Sequence, residues 1–277
     1  MKKIIAVVLC VVLALACVGM TSCGDAADKQ SVDAIKKAGK LTMYTNAEFP
    51  PFEYMDGTEV KGVDVDIAQA IADKLGVKLE IHNVKFDTII GSIQSGKGSI
   101  GAAGITVTDE RKESVDFSIE YTTSKQYIIV AADSTVAKIE DLAGMKIGVQ
   151  LGTTGDFIVS DEINGTDDTK GVLQDTGASV TTYNSAADAA IALNSGKIQA
   201  VVIDKLPAEI VASNYDNLKA IELVYADGSN TEESYAICVA KGNESLLKVI
   251  NEVIEELKAN GKIDEYIIKH TGAASEK

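Results

Sequence analysis

Apolar and polar positions follow two rhythms along the chain. Leu41 to Thr45 has strand character, and residues 52–55 and 58–60 flank Asp56-Gly57, a dipeptide that favours a tight hairpin. Behind Gly62-Val63-Asp64-Val65-Asp66 the period changes. Ile67, Ala70, Ile71 and Leu75 fall on one helical face, and Gly76 stands at the stop. Residues 77–81 read as the next strand and 87–95 as the next helix, ended by Gly96. Strand and helix keep alternating to the end, which predicts an α/β fold.

A weak internal echo divides the chain. Ser95-Gly96-Lys97 ends a helix and leads into a small-residue strand at 99–103; Ser195-Gly196-Lys197 does the same before 198–204. This pattern fits two similar lobes. Residues 246–268 form an amphipathic helical stretch with Ile250, Val253, Ile254 and Leu257 as its stripe and Gly261 as its break. No Pro-rich or low-complexity linker intervenes, so two lobes would have to be joined by crossing strands.

The first residues change the picture of where the protein resides. Lys2 and Lys3 precede an almost unbroken apolar run over 4–20, short for a membrane span and suited to a signal segment. Thr21-Ser22-Cys23-Gly24 then resembles a lipobox, with Cys17 as a weaker second lipidation site. This reading predicts a leader over 1–22 and a polar, flexible tether over 23–36. Losing Lys2 and Lys3 with the leader takes the formal charge from −15 to −17, a body that repels nucleic acid. Besides the lipidated Cys23, only Cys238 would remain of the cysteines. It sits in an apolar strand and reads as a buried small residue.

Catalytic and metal patterns are sparse. His82 and His270 lack metal-ligand spacing, no nucleophile elbow or phosphate loop occurs, and no cofactor or metal is expected. Asp64 and Asp66, at a strand-to-helix junction, read as capping and dipole partners. Arg111 is different. It is the one arginine among 26 basic residues, and it falls in the first turn of a helix capped near Thr108, where the dipole disfavours it. Only a guanidinium grips a carboxylate with a planar fork.

Three segments occur in order: Asn46-Ala47-Glu48-Phe49-Pro50-Pro51-Phe52-Glu53-Tyr54, Gly62-Val63-Asp64-Val65-Asp66-Ile67-Ala68 and Ala103-Gly104-Ile105-Thr106-Val107-Thr108-Asp109-Glu110-Arg111. Together they resemble the polar-amino-acid solute-binding proteins of bacterial ABC transporters, with Val63 where the family usually has a larger residue. The likeness runs over about 38–272. It implies a two-lobed, periplasmic-binding-protein-like type II fold, each lobe a mixed sheet flanked by helices and joined by two crossing strands. Lobe 1 would comprise 37–123 plus 232–277, and lobe 2 would comprise 124–231.

The resemblance also implies roles. Arg111, helped by Thr106, would clamp the α-carboxylate of a free amino acid, with backbone N–H groups of the Gly152-Thr153-Thr154-Gly155 turn before a helix opening at Asp156. Asp204 and the Gly104 carbonyl would take the α-ammonium. Phe49 and Phe86 would sandwich the side chain, leaving Phe52, Phe117 and Phe157 to the core. Asn46, Gln150, Glu48 and Ala103 complete the lining. Asn46 stands where binders of cationic or amide ligands often carry Asp, which weighs against a lysine- or ornithine-type ligand. Lobe 1 would meet the ligand first and lobe 2 would close over it. The protein would then be a monomer, lipid-anchored outside the cytoplasm, serving a membrane permease and ATPase. A dehydratase-type enzyme on the same fold and a ligand-sensing domain are the alternatives.

Overall fold

The computed structural model describes residues 26–166 and 169–275; the leader and the lipobox cysteine, Cys23, lie outside them. Helices α1 (Ala26–Lys29) and α2 (Val32–Ala38) come first. The tether expected over 23–36 is thus folded from Ala26 onward. Ser31 caps α2 by accepting the Ala34 N–H, and Ile35 is buried. Gln30 donates to Gly96 O at 2.8 Å and accepts from Ser99 and Asn243, which fastens the segment to the first lobe. A cap followed by two apolar positions is enough to fold a stretch whose composition looks like a linker.

The first lobe continues with β1 (Lys40–Thr45), the meander β2 (Glu48–Phe49), β3 (Glu53–Asp56) and β4 (Glu59–Lys61), and helix α3 (Val63–Leu75). Then come β5 (Lys78–Asn83), α4 (Ile89–Gln94), β6 (Ile100–Gly101), α5 (Asp109–Ser114) and β7 (Val115–Phe117). After the crossing strand β8 (Thr122–Ser124), the second lobe holds β9 (Gln126–Ala131), β10 (Lys146–Gln150), α6 (Thr154–Asn164), β11 (Ser179–Tyr183) and α7 (Ala186–Asn194). It closes with β12 (Ala200–Asp204), α8 (Lys205–Ser213) and β13 (Leu218–Glu222). The chain returns through β14 (Glu233–Tyr235) to β15 (Cys238–Ala240), α9 (Glu244–Ala259) and α10 (Lys262–Ser275).

Two five-stranded sheets result, in orders β5-β1-β6-β15-β7 and β11-β10-β12-β9-β13. Each combines parallel strands built by helical crossovers with an antiparallel strand, the returning β15 in the first sheet and the entering β9 in the second. The carboxyl ends of β1, β6, β10 and β12 lead into the loops at the lobe boundary, the usual place for a ligand in such sheets. Val63, Ile67, Ile71 and Leu75 bury the inner face of α3, each contributing on the order of 2 kcal/mol.

Gly62 precedes α3 at φ 142°, and a Cβ there would lie 1.9 Å from Phe52 O. Only glycine permits the meander and the helix to meet so closely. Helix α3 opens at Val63, so Asp64 lies inside its first turn and makes no cap bond. Asp66 instead pairs with Lys269 and with His270, whose other ring nitrogen meets Tyr54 Oη at 3.0 Å. His82 meets Glu80 at 2.9 Å. Among the described residues no helix is long and apolar enough to cross a membrane.

Crossing strands β8 and β14 pair antiparallel, Glu233 opposite Ser124 and Tyr235 opposite Thr122. Strand β14 also holds the loop after β6: Val107 N–H donates to Ser234 O and Ala236 N–H to Ile105 O.

Candidate functional site

Thr108, in extended conformation, caps α5 by accepting the Arg111 N–H at 3.1 Å. The Arg111 side chain turns inward and is 8% exposed. Nη1 donates to Thr106 O at 2.8 Å and Nη2 to Gly152 O at 3.0 Å, one carbonyl from each lobe. Its guanidinium carbon lies 5.5 Å from the Phe86 ring centre and 5.9 Å from that of Phe157. Phe157, expected in the core, is therefore half-buried and faces the cation, because α6 starts at the lobe boundary. Burial pulls the Arg111 pKa down from its usual value.

Phe49 and Phe86 keep different company. Phe49 packs with Phe52 and Tyr235, at 5.9 and 6.4 Å between ring centres. Its ring edge would meet a Cβ at position 104 at 2.6 Å, so Gly104 (φ 54°) is the residue that admits it. Ala103 beside it is buried.

Opposite Arg111, one carboxylate collects hydroxyls from both lobes. Glu233 Oε2 accepts from Thr106 Oγ1 at 2.6 Å and from Thr154 Oγ1 at 2.7 Å. Its Oε1 accepts from Gln126 Nε2 at 2.6 Å. The Thr106 hydroxyl, expected to help with a carboxylate, is thus committed to one already present. Helix α6 opens at Thr154, two residues before the expected Asp156. Thr153 is its cap, accepting from Asp156 N–H and donating to Gln150 O, so its hydroxyl is already committed to local bonds. Asp204 is 3% exposed, and Tyr235 Oη donates to it at 2.5 Å. Burial, then the neighbouring charge of Glu233, pushes the Asp204 carboxyl well above the carboxylate range.

At the other end Gln150 Nε2 donates across the cleft to Asn46 Oδ1 at 2.9 Å, and Asn46 Nδ2 donates to Val84 O. Gln150 Oε1, also buried, has no partner. Glu48 is exposed; partial burial, followed by the charge of Asp188 on the second lobe, raises its carboxyl, and Ser185 opposes the shift.

Beneath Gly104, Asp64 is fully buried and accepts the Gly104 N–H at 2.8 Å, so it supports the site loop rather than capping α3. Burial raises its pKa to about 6, and raises the adjacent buried Glu53 still more clearly. Glu233, Gln126 and Tyr235 were not singled out from the sequence. One signal was available: Glu233 shares its strand face with Tyr235 and Ile237, both buried.

The chain matches the model of the bacterial extracellular solute-binding proteins, family 3, over residues 41–273. It is 30% identical over 266 residues to the arginine-binding extracellular protein of Bacillus subtilis, covering 95% of this chain and 96% of that protein. It is equally identical to the L-cystine-binding protein of Escherichia coli K12, over 95% and 94% of the two chains. A substrate-binding protein of an amino acid ABC transporter from Streptococcus pneumoniae, solved with L-arginine bound, superposes with a TM-score of 0.79 at 31% identity, covering 88% of this chain and all of that one (100%).

Two predictions follow from this geometry. Replacing Arg111 by Ala should weaken amino-acid binding by about 2–5 kcal/mol, since a buried ligand carboxylate would lose its partner. Near-parental affinity by titration calorimetry would refute its role. The second concerns pH. Asp64 holds its proton more tightly folded than unfolded, so its contribution to stability is fully present below the unfolded value near 3.8 and is lost as pH rises through about 6. Asp64→Asn keeps an acceptor for Gly104 but does not titrate. It should remove about 3 kcal/mol of that decline, measured by urea unfolding across the window; parallel profiles would contradict the assignment.

Proposed function

The chain belongs to family 3 of the bacterial extracellular solute-binding proteins, and we propose that it captures L-arginine between its lobes for an ABC importer. The observation that carries the choice of ligand is the charge balance of the cleft. Arg111 is the only buried arginine or lysine among the described residues, and Glu53, Asp64, Asp204 and Glu233 are buried around the same lobe boundary. A zwitterion brings no net charge to such a site, whereas a cationic amino acid brings one that lets buried acids ionise.

The distal wall supports the same reading. Asn46 directs an N–H to Val84 O and Gln150 directs one to Asn46 Oδ1, and Gln150 Oε1 stays a buried acceptor without a partner. A side chain ending in several N–H groups satisfies it. Glu48 and Asp188 face each other from the two lobes, and a guanidinium between them would relieve their repulsion. The acid that Asn46 lacks is thereby replaced from another position.

In this reading Arg111 and the free N–H groups at the start of α6 hold the α-carboxylate. Asp204 and the Gly104 carbonyl receive the α-ammonium, and Phe49 and Phe86 flank the aliphatic stem. We assign lobe 1 to 37–123 plus 232–277 and lobe 2 to 124–231, closing about β8 and β14. The protein acts as a monomeric binding protein outside the cytoplasm, held to the membrane through Cys23 while it serves the permease and ATPase.

A thermal-shift series over the twenty amino acids, cystine and ornithine should give its largest rise in Tm with L-arginine, since a ligand that binds only the folded state stabilises it by mass action. A larger rise with a neutral amino acid would overturn the choice of ligand; no rise with any would overturn the function. Cys23→Ala should move the protein from the membrane fraction to the soluble one, and unchanged membrane retention would rule out this anchor.

A further inference from the structure

Lysines gather on one part of an otherwise acidic protein. A pocket of about 300 Å³ beside α1 and α2 is lined by Lys29, Lys40 and Lys97 and by a single acid, Glu80. Lys40 pairs with Glu80 at 2.9 Å, and the same carboxylate meets His82. Lys29 and Lys97 are exposed and enter no ion pair among the described residues. Residues 26–40 carry four lysines against two acids, Asp28 and Asp33, in a chain whose formal charge is −15.

This patch lies next to the expected anchor. Ala26 packs on Gly96, where a Cβ would lie 3.1 Å from the Ala26 Cα. Gln30 fixes the same segment through Gly96 O, Ser99 and Asn243. Cys23 stands three positions before Ala26, and three residues of fully extended chain span no more than about 10 Å. A lipid on Cys23 therefore holds Gly96 and the neighbouring lysines near the headgroups, at a distance comparable to the screening length of about 8 Å. Lys40 opens β1 and Lys97 precedes β6, so the patch belongs to the starts of strands whose carboxyl ends border the cleft.

We propose that this lysine face of the first lobe rests on the anionic phospholipid surface of the membrane, with Lys29 and Lys97 meeting the lipid phosphates. The acidic body is repelled by the same lipids, which disfavours poses that press other faces against them. The lysine face down leaves the cleft at the far end of the strands, open to ligand from the aqueous side. The proposal rests on Cys23 as the anchor and adds to it a face and a class of lipid.

The full lipidated chain on phosphatidylcholine vesicles, with or without phosphatidylglycerol, tests this by fluorescence quenching from lipids spin-labelled on the headgroup. Gln94→Cys places a fluorophore at the end of α4, beside the patch. Asp133→Cys places one after β9, at the end of that strand away from Asp204. Both positions are exposed, and the buried Cys238 does not compete for the label. With phosphatidylglycerol present, the label at 94 should be quenched several-fold more than the label at 133. Lys29→Gln together with Lys97→Gln should remove most of that contrast, each lysine shifting the pose equilibrium about fivefold. Equal quenching at both positions, with the protein still on the vesicles, would overturn the lysine face and leave the anchor intact. A strong signal at 94 that ignores both phosphatidylglycerol and the two substitutions would overturn it as well, since the short span from Cys23 alone would then place the lobe. A parent chain that stays off both kinds of vesicle would count against Cys23 as the anchor, and the proposal would fall with it.

Discussion

Charge buried between two bodies that must come together is the constraint on which the rest of this structure depends. A guanidinium taken out of water is tolerable only when its N–H groups are occupied and its faces are covered. Arg111 directs two of its N–H groups to the carbonyls of Thr106 and Gly152 and lies near the rings of Phe86 and Phe157. Because one carbonyl and one ring belong to each lobe, the same contacts that shelter the cation tie the lobes to each other. A shift of either lobe would change the solvation of the charge.

The acids obey the same rule by a different route. Asp64 and Glu53 lie beneath the loop of Gly104, shielded from water, and burial raises their affinity for protons. Asp204 is raised by burial and by the charge of Glu233, while the Tyr235 hydroxyl opposes the shift. Around the lobe boundary these acids therefore favour the protonated form over the anion.

The crossing strands add geometry to these energetics. Strand β14 bonds to β8, to the loop of Thr106 and, through Glu233, to the start of α6. Tyr235, on the same face, packs against Phe49, Phe52 and Tyr121 and reaches Asp204. The crossing strand thus belongs to the candidate site and is not only its support.

Much of this was legible in the chain. The change from strand to helix period set the α/β class, and three ordered segments pointed to two lobes and to Arg111, since local helix energetics do not explain an arginine in a first turn. The Thr108 cap followed from the cap residue itself. These are local properties, decided by side-chain chemistry within a few residues, and sequence carries them directly. Asp64 supporting Gly104 from 40 positions away, Phe157 turning from core to cation, and Glu233 joining threonines 106 and 154 depend on contacts between distant segments. An acid beside another acid in a polar stretch has the appearance of a solvated residue. Only when β14 crossed between the lobes did its alternate face become an interior, and burial made that carboxylate a partner that both lobes must share.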